Sequence, residues 1–451
     1  MKRYIVVLSL CAFSVPVLSA GSEAKTDSAI ERAKQRALVW LAGQKVPNAV
    51  IPDPQPERRN LVVSYEIPKS HPAYRYIYGR SAVYDDALAA IAFTMNRDFR
   101  NASQVLLALK RLQRADGGLW FGYNVNNDWP SEKDVEGSTE RTGASAWAGY
   151  AAVYYVKTRL AEDPAAIQGR DVKPVLDFAR SLGNYLLGLQ VRKKGDFRYG
   201  LVTGGKNSFE LKRQGGGVDE LFKAGDIEWI SAEHNIDAFF FLRDLGALAK
   251  DAKFTEGAEL IRTSMARMWL SKDRQYMRGL KTDHPDTVLA LDCASWGAVF
   301  SFAAGNDEYA RQSVGVLDSL YASRGSFGGS EVRGYKPYAD KEIYEETAGQ
   351  EITRFYFPDL KGTTWASLDG VWVEGSMGAA LAYLKAGDRE KAQEILKRIL
   401  PLQNAGGGFV YFTREVPHEF STFVSVASTA WFVMMASAIE NRHTAESFWG
   451  R

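Results

Sequence analysis

Two kinds of helical pattern alternate along most of the chain. In the first kind, apolar and small residues occupy nearly every position, which is typical of a helix buried on all sides. The stretch from Ala232 to Leu248 is the clearest example, because Phe239, Phe240 and Phe241 follow a short polar start. We predict six helices of this kind, near residues 84–96, 142–157, 233–248, 291–304, 373–386 and 424–440.

In the second kind of pattern, apolar residues recur on one face and charged residues on the other. The segment near 99–112 has Val105, Leu106 and Leu109 at helical spacing, while Arg100 and Lys110 are charged. We predict six such helices, near residues 27–43, 99–112, 173–189, 254–269, 307–322 and 388–402. The apolar set suits close packing in an inner ring, and the amphipathic set suits an outer ring.

A weak internal repeat supports this arrangement. Several outer helices end in a glutamine that is followed by glycines and aromatic residues, at residues 113–123, 190–199 and 403–411, with a degenerate copy at 324–329. Repeats at intervals of roughly 50–80 residues, each with one helical hairpin, indicate a closed or stacked array. We predict closure into an all-α (α/α)6 barrel, because an open stack would not need inner helices that are apolar all round.

The first 20 residues have the pattern of a secretory signal peptide. Lys2 and Arg3 precede an apolar run that ends at Ala20, and this run is too short to span a membrane. We therefore expect a periplasmic or secreted bacterial protein in which residues 21–451 form a single toroid domain. A lipid anchor at Cys11 is the weaker alternative, because a leucine rather than a small residue precedes the cysteine.

Charge and cysteine content exclude several classes of partner. The sequence has 56 Lys and Arg and 54 Asp and Glu, and the leader contains two of the basic residues and none of the acidic ones. A nearly neutral mature chain argues against nucleic acid or an anionic membrane surface as a partner. Cys293 is the only cysteine beyond the leader, so we expect no internal disulfide and no cysteine metal site. We predict no metal and no cofactor.

Several motifs resemble those of known proteins. The glutamine–glycine–aromatic ends of the outer helices are similar to those of α/α-toroid proteins, which include six-hairpin glycosidases and terpenoid-cyclase-like proteins. Within that superfamily, residues 232–238, 291–297, 371–377 and 430–441 resemble a bacterial exported family that is associated with cell-surface polysaccharide loci. This resemblance covers most of residues 84–441. It implies the (α/α)6 fold and a polysaccharide or oligosaccharide substrate, and it leaves polysaccharide export machinery open as a partner.

One departure from that family lies after the last helix. This chain continues Glu440-Asn441-Arg442-His443, where the family has Asn-Pro-Phe. The departure affects a helix end and not the helix starts that carry the candidate chemistry.

Acidic residues stand at the starts of the predicted inner helices. The inner helices of such a barrel run parallel, so their amino ends would meet at one end of it. Glycoside hydrolysis needs two carboxyl groups at the scissile bond, one protonated and one ionised. We predict Glu233 as the general acid, because Trp229 and the phenylalanine run would raise its pKa, and Asp292 as the base. Glu374 and Asp85 are further catalytic candidates.

Other residues near these helix starts are candidates for substrate binding. They are His234, Asp237, Glu140, Arg141, Trp120, Tyr123, Trp229, Trp296, Trp372 and Tyr411. Aromatic rings stack on sugar faces, although packing between helix ends explains each of them equally well. Arg141, like Arg333, Lys336 and Arg354, suits an acidic sugar. Taken singly, each acid also has the ordinary explanation of capping a helix.

Three functions remain open from the sequence. We favour a glycoside hydrolase that processes polysaccharide. A polysaccharide lyase would instead need a Tyr or His base and a cation beside a uronate, for which Tyr84, His234 and Arg141 are available. A non-catalytic glycan-binding or export-assembly protein would use the acids as caps and the aromatic residues as a binding surface. The sequence has no nucleophile elbow, no phosphate-cradling glycine loop and no Asp-x-Asp-Asp motif of a terpenoid cyclase.

Overall fold

The computed structural model describes residues 27–71, 73–126, 137–214, 217–343, 360–416 and 420–450. The helices in these residues are α1 (Ser28–Gln44), α2 (Tyr74–Ile77), α3 (Val83–Met95), α4 (Phe99–Leu112), α5 (Thr142–Glu162), α6 (Val172–Leu189), α7 (Ala232–Ala249), α8 (Ala252–Ser264), α9 (Leu291–Ala303), α10 (Asp307–Tyr321), α11 (Val373–Lys385), α12 (Arg389–Ile399), α13 (Val426–Glu440) and α14 (Arg442–Ser447). Short 3-10 turns lie at Pro56–Arg58, Pro164–Gln168, Met265–Met268 and Leu400–Leu402. The signal peptide expected at residues 1–20 and the candidate Arg354 lie outside the described residues.

Six helices form a closed inner ring. They pack in the order α3, α5, α7, α9, α11 and α13, and α13 returns to pack against α3. Helices α4, α6, α8, α10 and α12 each cover the inner helix that precedes them, while α1 covers α13. The first helix of the chain therefore completes the ring beside the last inner helix. This arrangement confirms the predicted (α/α)6 barrel.

The helix positions agree closely with the predicted ones, and the larger differences lie at helix ends. The inner helix α5, predicted to end near residue 157, continues to Glu162. The helix predicted near 254–269 ends at Ser264, and the one predicted near 388–402 ends at Ile399. A 3-10 turn continues each of them. No helix in the described part of the chain has both the length and the apolarity to cross a lipid bilayer.

The inner helices approach one another closely because small residues stand where they touch. A Cβ atom on Gly149 of α5 would lie 2.2 Å from Cζ of Phe241 on α7, so only glycine lets this ring pack against the neighbouring backbone. The outer helices bury one face only. In α4, Val105, Leu106 and Leu109 are buried, and this apolar face is the one that the sequence pattern predicts.

Short strands connect the helices, which the all-α prediction did not include. They are β1 (Tyr65–Glu66), β2 (Arg80–Ala82), β3 (Gly122–Asn124), β4 (Glu140–Arg141), β5 (Gly205–Gln214), β6 (Gly217–Ile227), β7 (Ile230–Ser231), β8 (Trp269–Leu270), β9 (Gln275–Tyr276), β10 (Gly279–Leu280), β11 (Pro285–Asp286), β12 (Ala322–Phe327), β13 (Ser330–Tyr335), β14 (Phe409–Val410) and β15 (Val424–Ser425). The sheets are antiparallel, with strand orders β1-β15-β14, β11-β10-β7, β12-β13, β2-β3, β4-β5-β6 and β8-β9. Most of these strands have two or three residues, too few for an alternating pattern to reveal them.

Every inner helix begins directly after an extended residue that pairs with a neighbouring segment. Strands β2, β4, β7 and β15 end one residue before α3, α5, α7 and α13. Isolated bridges at Ala290 and Trp372 take the same place before α9 and α11. The ψ angles of these six residues lie between 113° and 149°. The pairing therefore fixes the level at which each inner helix starts.

A buried polar side chain at the fourth position of four inner helices strengthens this alignment. Each accepts a hydrogen bond from a backbone N–H of a segment that leads toward a helix start. The four bonds, between 2.7 and 3.0 Å long, join Asp86 Oδ1 to Val62 N–H, Asn235 Oδ1 to Val202 N–H, Ser376 Oγ to Tyr335 N–H and Thr429 Oγ1 to Phe409 N–H. Buried backbone N–H groups that would otherwise lack a partner are thereby satisfied.

The segment after α13 fills the opposite end of the barrel. Helix α14 leads to Phe448 and Trp449, which are buried. The ring of Trp449 stacks on Phe240 with centroids 4.7 Å apart and lies 5.0 Å from the ring of Trp147. The hydroxyl of Tyr150 accepts a hydrogen bond from the Trp449 N–H at 2.9 Å.

We expect Trp449→Ala to lower the free energy of unfolding by about 3–5 kcal/mol, because it empties a packed volume between the inner helices. Urea denaturation followed by circular dichroism would measure the change. Phe197→Ala is the matched control, since its ring is 44% exposed and its loss should cost less than about 1 kcal/mol. Equal losses in both variants would show that the segment after α13 adds nothing to stability.

Candidate active site

A cavity of about 460 Å³ lies at the end of the barrel where the inner helices begin. The second residue of each inner helix lines it, and these residues are Tyr84, Gly143, Glu233, Asp292, Glu374 and Ala427. Because the inner helices begin at one level, the second residue of each helix borders the same cavity. The volume falls within the range of roughly 300–1,000 Å³ that is usual for small-molecule sites.

Three of these six positions carry carboxyl groups, and they stand on consecutive helices. Glu233 is on α7, Asp292 on α9 and Glu374 on α11, so Asp292 is the central one. Glu233 and Asp292 are partly exposed to the cavity, whereas Glu374 is buried. Asp85, which is also buried, follows Tyr84 on α3 and lines the same cavity. The structure therefore brings all four residues that the sequence nominates for catalysis into one site.

The central carboxyl group and its neighbour on α7 both hold their protons more tightly than ordinary carboxyl groups do. Burial raises the pKa of Glu233 to about 7. Burial raises the pKa of Asp292 well above its ordinary value, and repulsion from Glu233 and Glu374 raises it further. Since Asp292 faces a carboxyl group on each side, ionisation of the row begins at its flanks.

Glu374 belongs to a hydrogen-bonded chain that crosses the barrel mouth. The hydroxyl of Tyr84 donates to Oε1 of Glu374, and Nε1 of Trp431 donates to the Tyr84 oxygen at 2.9 Å. Burial raises the pKa of Glu374 to about 8, although the bond from Tyr84 opposes that shift. Helix α13 lies between α11 and α3, and the small side chain of Ala427 at its second position leaves room for this contact.

Two further acids lie beside or beneath the row. Asp85 accepts hydrogen bonds from the Ser64 hydroxyl and from the backbone N–H of Ala427, so it caps the neighbouring helix α13. Burial nevertheless raises the pKa of Asp85 to about 7. Asp237 lies one turn deeper on α7, where burial and then the charges of Glu233 and Asp292 raise its pKa well above the ordinary value.

His234 presents a neutral imidazole to the cavity. Burial, together with the nearby charge of Arg141, lowers its pKa to about 3. Its ring packs over Gly143 of α5, where a Cβ atom would lie 2.5 Å from Cδ2 of the imidazole. The ring of Trp229 lies 5.7 Å away on the other side. His234 is therefore held in place and uncharged at neutral pH.

Tryptophans occupy the sixth position of alternate inner helices. They are Trp147 on α5, Trp296 on α9 and Trp431 on α13, and their ring centroids are 5.6–5.7 Å apart. At the same level α11 has Gly378, where a Cβ atom would lie 2.8 Å from Nε1 of Trp296. Trp147 lines the cavity. All three tryptophans, which we name the tryptophan triangle, contact Trp449 and separate the cavity from it.

One side of the cavity carries three arginines, which we name the cationic sector. Arg80 in β2 precedes α3, and Arg141 in β4 precedes α5. Arg278 lies beside the start of α7, because its carbonyl oxygen accepts the N–H of Ala232 at 2.9 Å. Its guanidinium group donates to Asp286 at 2.6 and 2.9 Å. The cationic sector thus spans the starts of α3, α5 and α7.

The other side carries aromatic rings, which we name the aromatic sector. Its members line the cavity near the starts of α9, α11 and α13, and they are Tyr65, Tyr338, Trp372, Tyr411 and Phe420. The rings support one another: Phe420 stacks on Tyr411 at 5.4 Å and meets Trp372 edge-on at 5.5 Å. Phe121 is an aromatic residue on the cationic side.

Half of the ten predicted substrate-binding residues line this cavity. His234, Asp237, Arg141, Trp372 and Tyr411 line it. Trp296 lies behind Trp147 in the tryptophan triangle, and Trp229 packs on Gly204 beside His234. These last two touch residues of the site without lining the cavity.

Three predicted residues lie outside the cavity in another cluster. Glu140 is buried and pairs with Arg114 at 3.1 Å. The Arg114 guanidinium lies 3.8 Å from the ring centroid of Trp120. The buried hydroxyl of Tyr123 donates to the carbonyl oxygen of Leu112 at 3.3 Å. These contacts hold the loop after α4 against β4.

The remaining basic candidates also lie away from the cavity. Arg333 is exposed and pairs with Glu331 at 2.9 Å. Lys336 is buried and donates to the carbonyl oxygen of Trp365 at 2.6 Å.

Several side chains that line the cavity were not predicted from the sequence, among them Arg80, Arg278, Tyr65, Phe121, Trp147, Tyr338 and Phe420. Trp147 carries a usable signal, because it stands at the same distance from its helix start as Trp296 and Trp431 do. Tyr65, Arg278 and Tyr338 lie in connections that have no periodicity, so only folding brings them to the site.

His234 is the one histidine among the described residues that line the cavity, and Cys293 beside it in the lining is 1% exposed. Across the described ranges, no group of three or more His, Cys, Asp and Glu side chains has the arrangement of a metal site.

No family model matches the sequence, and no curated protein sequence matches it. Solved structures do share the fold. A glycosidase variant in complex with glucose has 12% identity and a TM-score of 0.55, over 92% of this chain and 99% of its own. A D-mannose isomerase has 11% identity and a TM-score of 0.57, over 95% of this chain and 100% of its own.

A third similar structure is a family 76 glycoside hydrolase from a bovine Bacteroides thetaiotaomicron strain. It has 10% identity and a TM-score of 0.53, over 92% of this chain and 78% of its own. At such low identities these likenesses concern the fold alone, since one fold supports several activities. The chain thus has the six-hairpin toroid fold that glycosidases and a sugar isomerase share.

Proposed function

We propose that this protein is a glycoside hydrolase that cleaves a polysaccharide or oligosaccharide in the periplasm or outside the cell. The row of Glu233, Asp292 and Glu374 around one sugar-sized cavity carries the proposal. Cleavage of a glycosidic bond needs one protonated and one ionised carboxyl group on either side of it. The aromatic sector beside the row offers the flat apolar surface on which sugar rings stack.

Within this proposal, Asp292 is the general acid and Glu233 is the base or nucleophile. This division reverses the one that the sequence predicts, and the electrostatics of the row favour it. Asp292 faces carboxyl groups on both sides, which favours its protonated form, whereas burial raises the pKa of Glu233 to about 7.

In an inverting cycle each of the two carboxyl groups transfers one proton. Asp292 gives its proton to the leaving glycosidic oxygen, while Glu233 takes a proton from the water that attacks the anomeric carbon. In a retaining cycle Glu233 instead attacks that carbon directly, and water later releases the sugar. Solvent returns both groups to their starting states.

The tests of the hydrolase proposal would also reveal a lyase or a glycan-binding protein. A lyase needs a base that removes a proton from the sugar ring, and the neutral His234 has that capacity. Tyr84 is less suited to this role, because burial and the adjacent Glu374 raise its pKa well above the ordinary value. A glycan-binding protein would hold the sugar without cleaving it.

We expect Asp292→Asn and Glu233→Gln each to reduce reducing-end release from bacterial exopolysaccharides by about 10²–10⁴-fold, since each removes a proton-transfer group. Glu228→Gln is the matched control, because Glu228 is exposed outside the cavity, and it should keep full activity. Full activity in either site variant would exclude this acid–base pair. Ultraviolet-absorbing unsaturated ends would identify a lyase, and binding without cleavage would identify a binding protein.

The two roles can be separated with p-nitrophenyl glycosides of the cleaved sugar. Nitrophenolate leaves without protonation, so Asp292→Asn should retain far more activity on these substrates than on the polysaccharide. Glu233→Gln should remain inactive until azide is added, and the product should then be a glycosyl azide. The reverse pattern in the two variants would restore Glu233 as the acid.

The pH dependence of kcat/KM offers an independent check. Glu233 must be ionised to act as base, so kcat/KM should rise with pH up to about 7, by tenfold per unit at the acidic end. It should fall again at higher pH as Asp292 loses its proton. A kcat/KM that falls through pH 7, with no acidic limb near that value, would contradict the assignment of Glu233 as base.

A further inference from the structure

The two sectors of the cavity suit different chemical groups, and the carboxyl row runs from one sector to the other. Glu233 on α7 adjoins the cationic sector, whereas Glu374 on α11 adjoins the aromatic sector, and Asp292 stands between them. A sugar chain that crosses the cavity along this row would have one unit among arginines and the next against aromatic rings. The bond between the two units would then lie at the central carboxyl group.

Burial dominates the pKa of Glu233, Asp292, Glu374 and Asp85, and no arginine lowers any of these pKa values. Near neutral pH a large part of the row is therefore protonated and uncharged. The guanidinium groups remain charged at any such pH. The guanidinium groups that border the cavity at the starts of α3, α5 and α7 therefore offer charged donors that suit an anionic group of a ligand.

Neighbouring contacts hold two of the arginines in place. Arg278 is fixed by its two hydrogen bonds to Asp286, at 2.6 and 2.9 Å. Arg141 extends from β4, and one guanidinium nitrogen donates to the carbonyl oxygen of Asn207 at 3.3 Å. Its charge reaches His234, which follows Glu233 on α7. The charge of Arg141 therefore acts on the residue that directly follows the proposed base.

The aromatic sector is built as a rigid platform. Tyr411 meets Tyr65 edge-on at 6.3 Å and stacks on Phe420 at 5.4 Å. Trp372 also touches both Tyr411 and Phe420. Rings that support one another lose little freedom when a sugar packs on them, so this side suits the apolar face of a sugar unit.

We propose that the substrate is an acidic glycan, in which the carboxylate of a uronic acid or similar sugar binds in the cationic sector while the adjoining unit stacks on the aromatic sector. Guanidinium groups match carboxylates through paired, charge-assisted hydrogen bonds. Cleavage of such a glycan rests on the proposed hydrolase function, but its preferential binding does not.

The test uses matched pairs of substrates. Uronic-acid-containing exopolysaccharides are compared with their carboxyl-reduced forms, which have the same linkages but no charge. Wild-type protein should cleave the acidic form with a kcat/KM at least about tenfold higher than that of the reduced form, as expected for charge-assisted bonds. Arg141→Gln should bring this ratio close to one, and Arg141→Lys should restore part of it.

Arg170→Gln is the control variant, since Arg170 is exposed in the connection between α5 and α6, at the other end of the barrel. It should change neither the ratio nor the activity. Circular dichroism and the melting temperature show whether Arg141→Gln is folded. If that variant unfolds, Arg80→Gln is measured in the same assay with the same expectation.

Different negative results would overturn the acidic substrate and the hydrolase activity. Equal or faster cleavage of the reduced glycans would overturn the acidic substrate and leave the hydrolase intact. If wild-type protein cleaves none of the glycans, the hydrolase fails, and calorimetry with the same pairs decides the inference. Tighter binding of the acidic forms would support it, whereas equal binding, or a preference for sulfated glycans, would overturn it.

Discussion

The whole site depends on the common level at which the six inner helices begin. Short strand pairings stand before each helix, and buried polar side chains at the fourth position of four helices accept backbone N–H groups from incoming segments. Positions that are equivalent along the helices therefore form layers. The second positions line the cavity, and the sixth positions of alternate helices supply the tryptophans beneath it. A shift of one helix by a single residue would turn its second side chain away from the cavity.

This layering also sets the electrostatics. Three carboxyl groups on consecutive inner helices are crowded at one depth of the cavity. Burial makes ionisation costly for all of them, and mutual repulsion makes it most costly for Asp292 in the middle. A row of this kind holds protonated and ionised carboxyl groups side by side near neutral pH, which is the condition for acid–base chemistry. No single residue of the row has this property alone.

The predicted site residues that missed the cavity did so for an identifiable reason. Glu140 and Arg141 are successive residues of β4, and successive strand residues point to opposite sides. Arg141 consequently faces the cavity, while Glu140 points back to Arg114. The sequence predicted that Glu140 would face the cavity from a helix start. Strand β4 turns its side chain the other way, and a strand of two residues is too short to show an alternating pattern in the sequence. Trp296 was also predicted to contact the substrate. It lies one turn deeper in the barrel than Asp292 on the same helix, behind Trp147, and does not line the cavity.

Hydrophobic periodicity and a repeating pattern were enough to predict the twelve helices of the barrel, their inner and outer placement and their closure. The sequence also nominated Glu233, Asp292, Glu374 and Asp85, because acids at the starts of parallel helices must meet. Only the tertiary structure decided which carboxyl group is central, which sides of the cavity are cationic or aromatic, and how Trp449 closes the far end. Those features arise between segments that are distant in sequence and lack any period, so they exist only once the ring has closed.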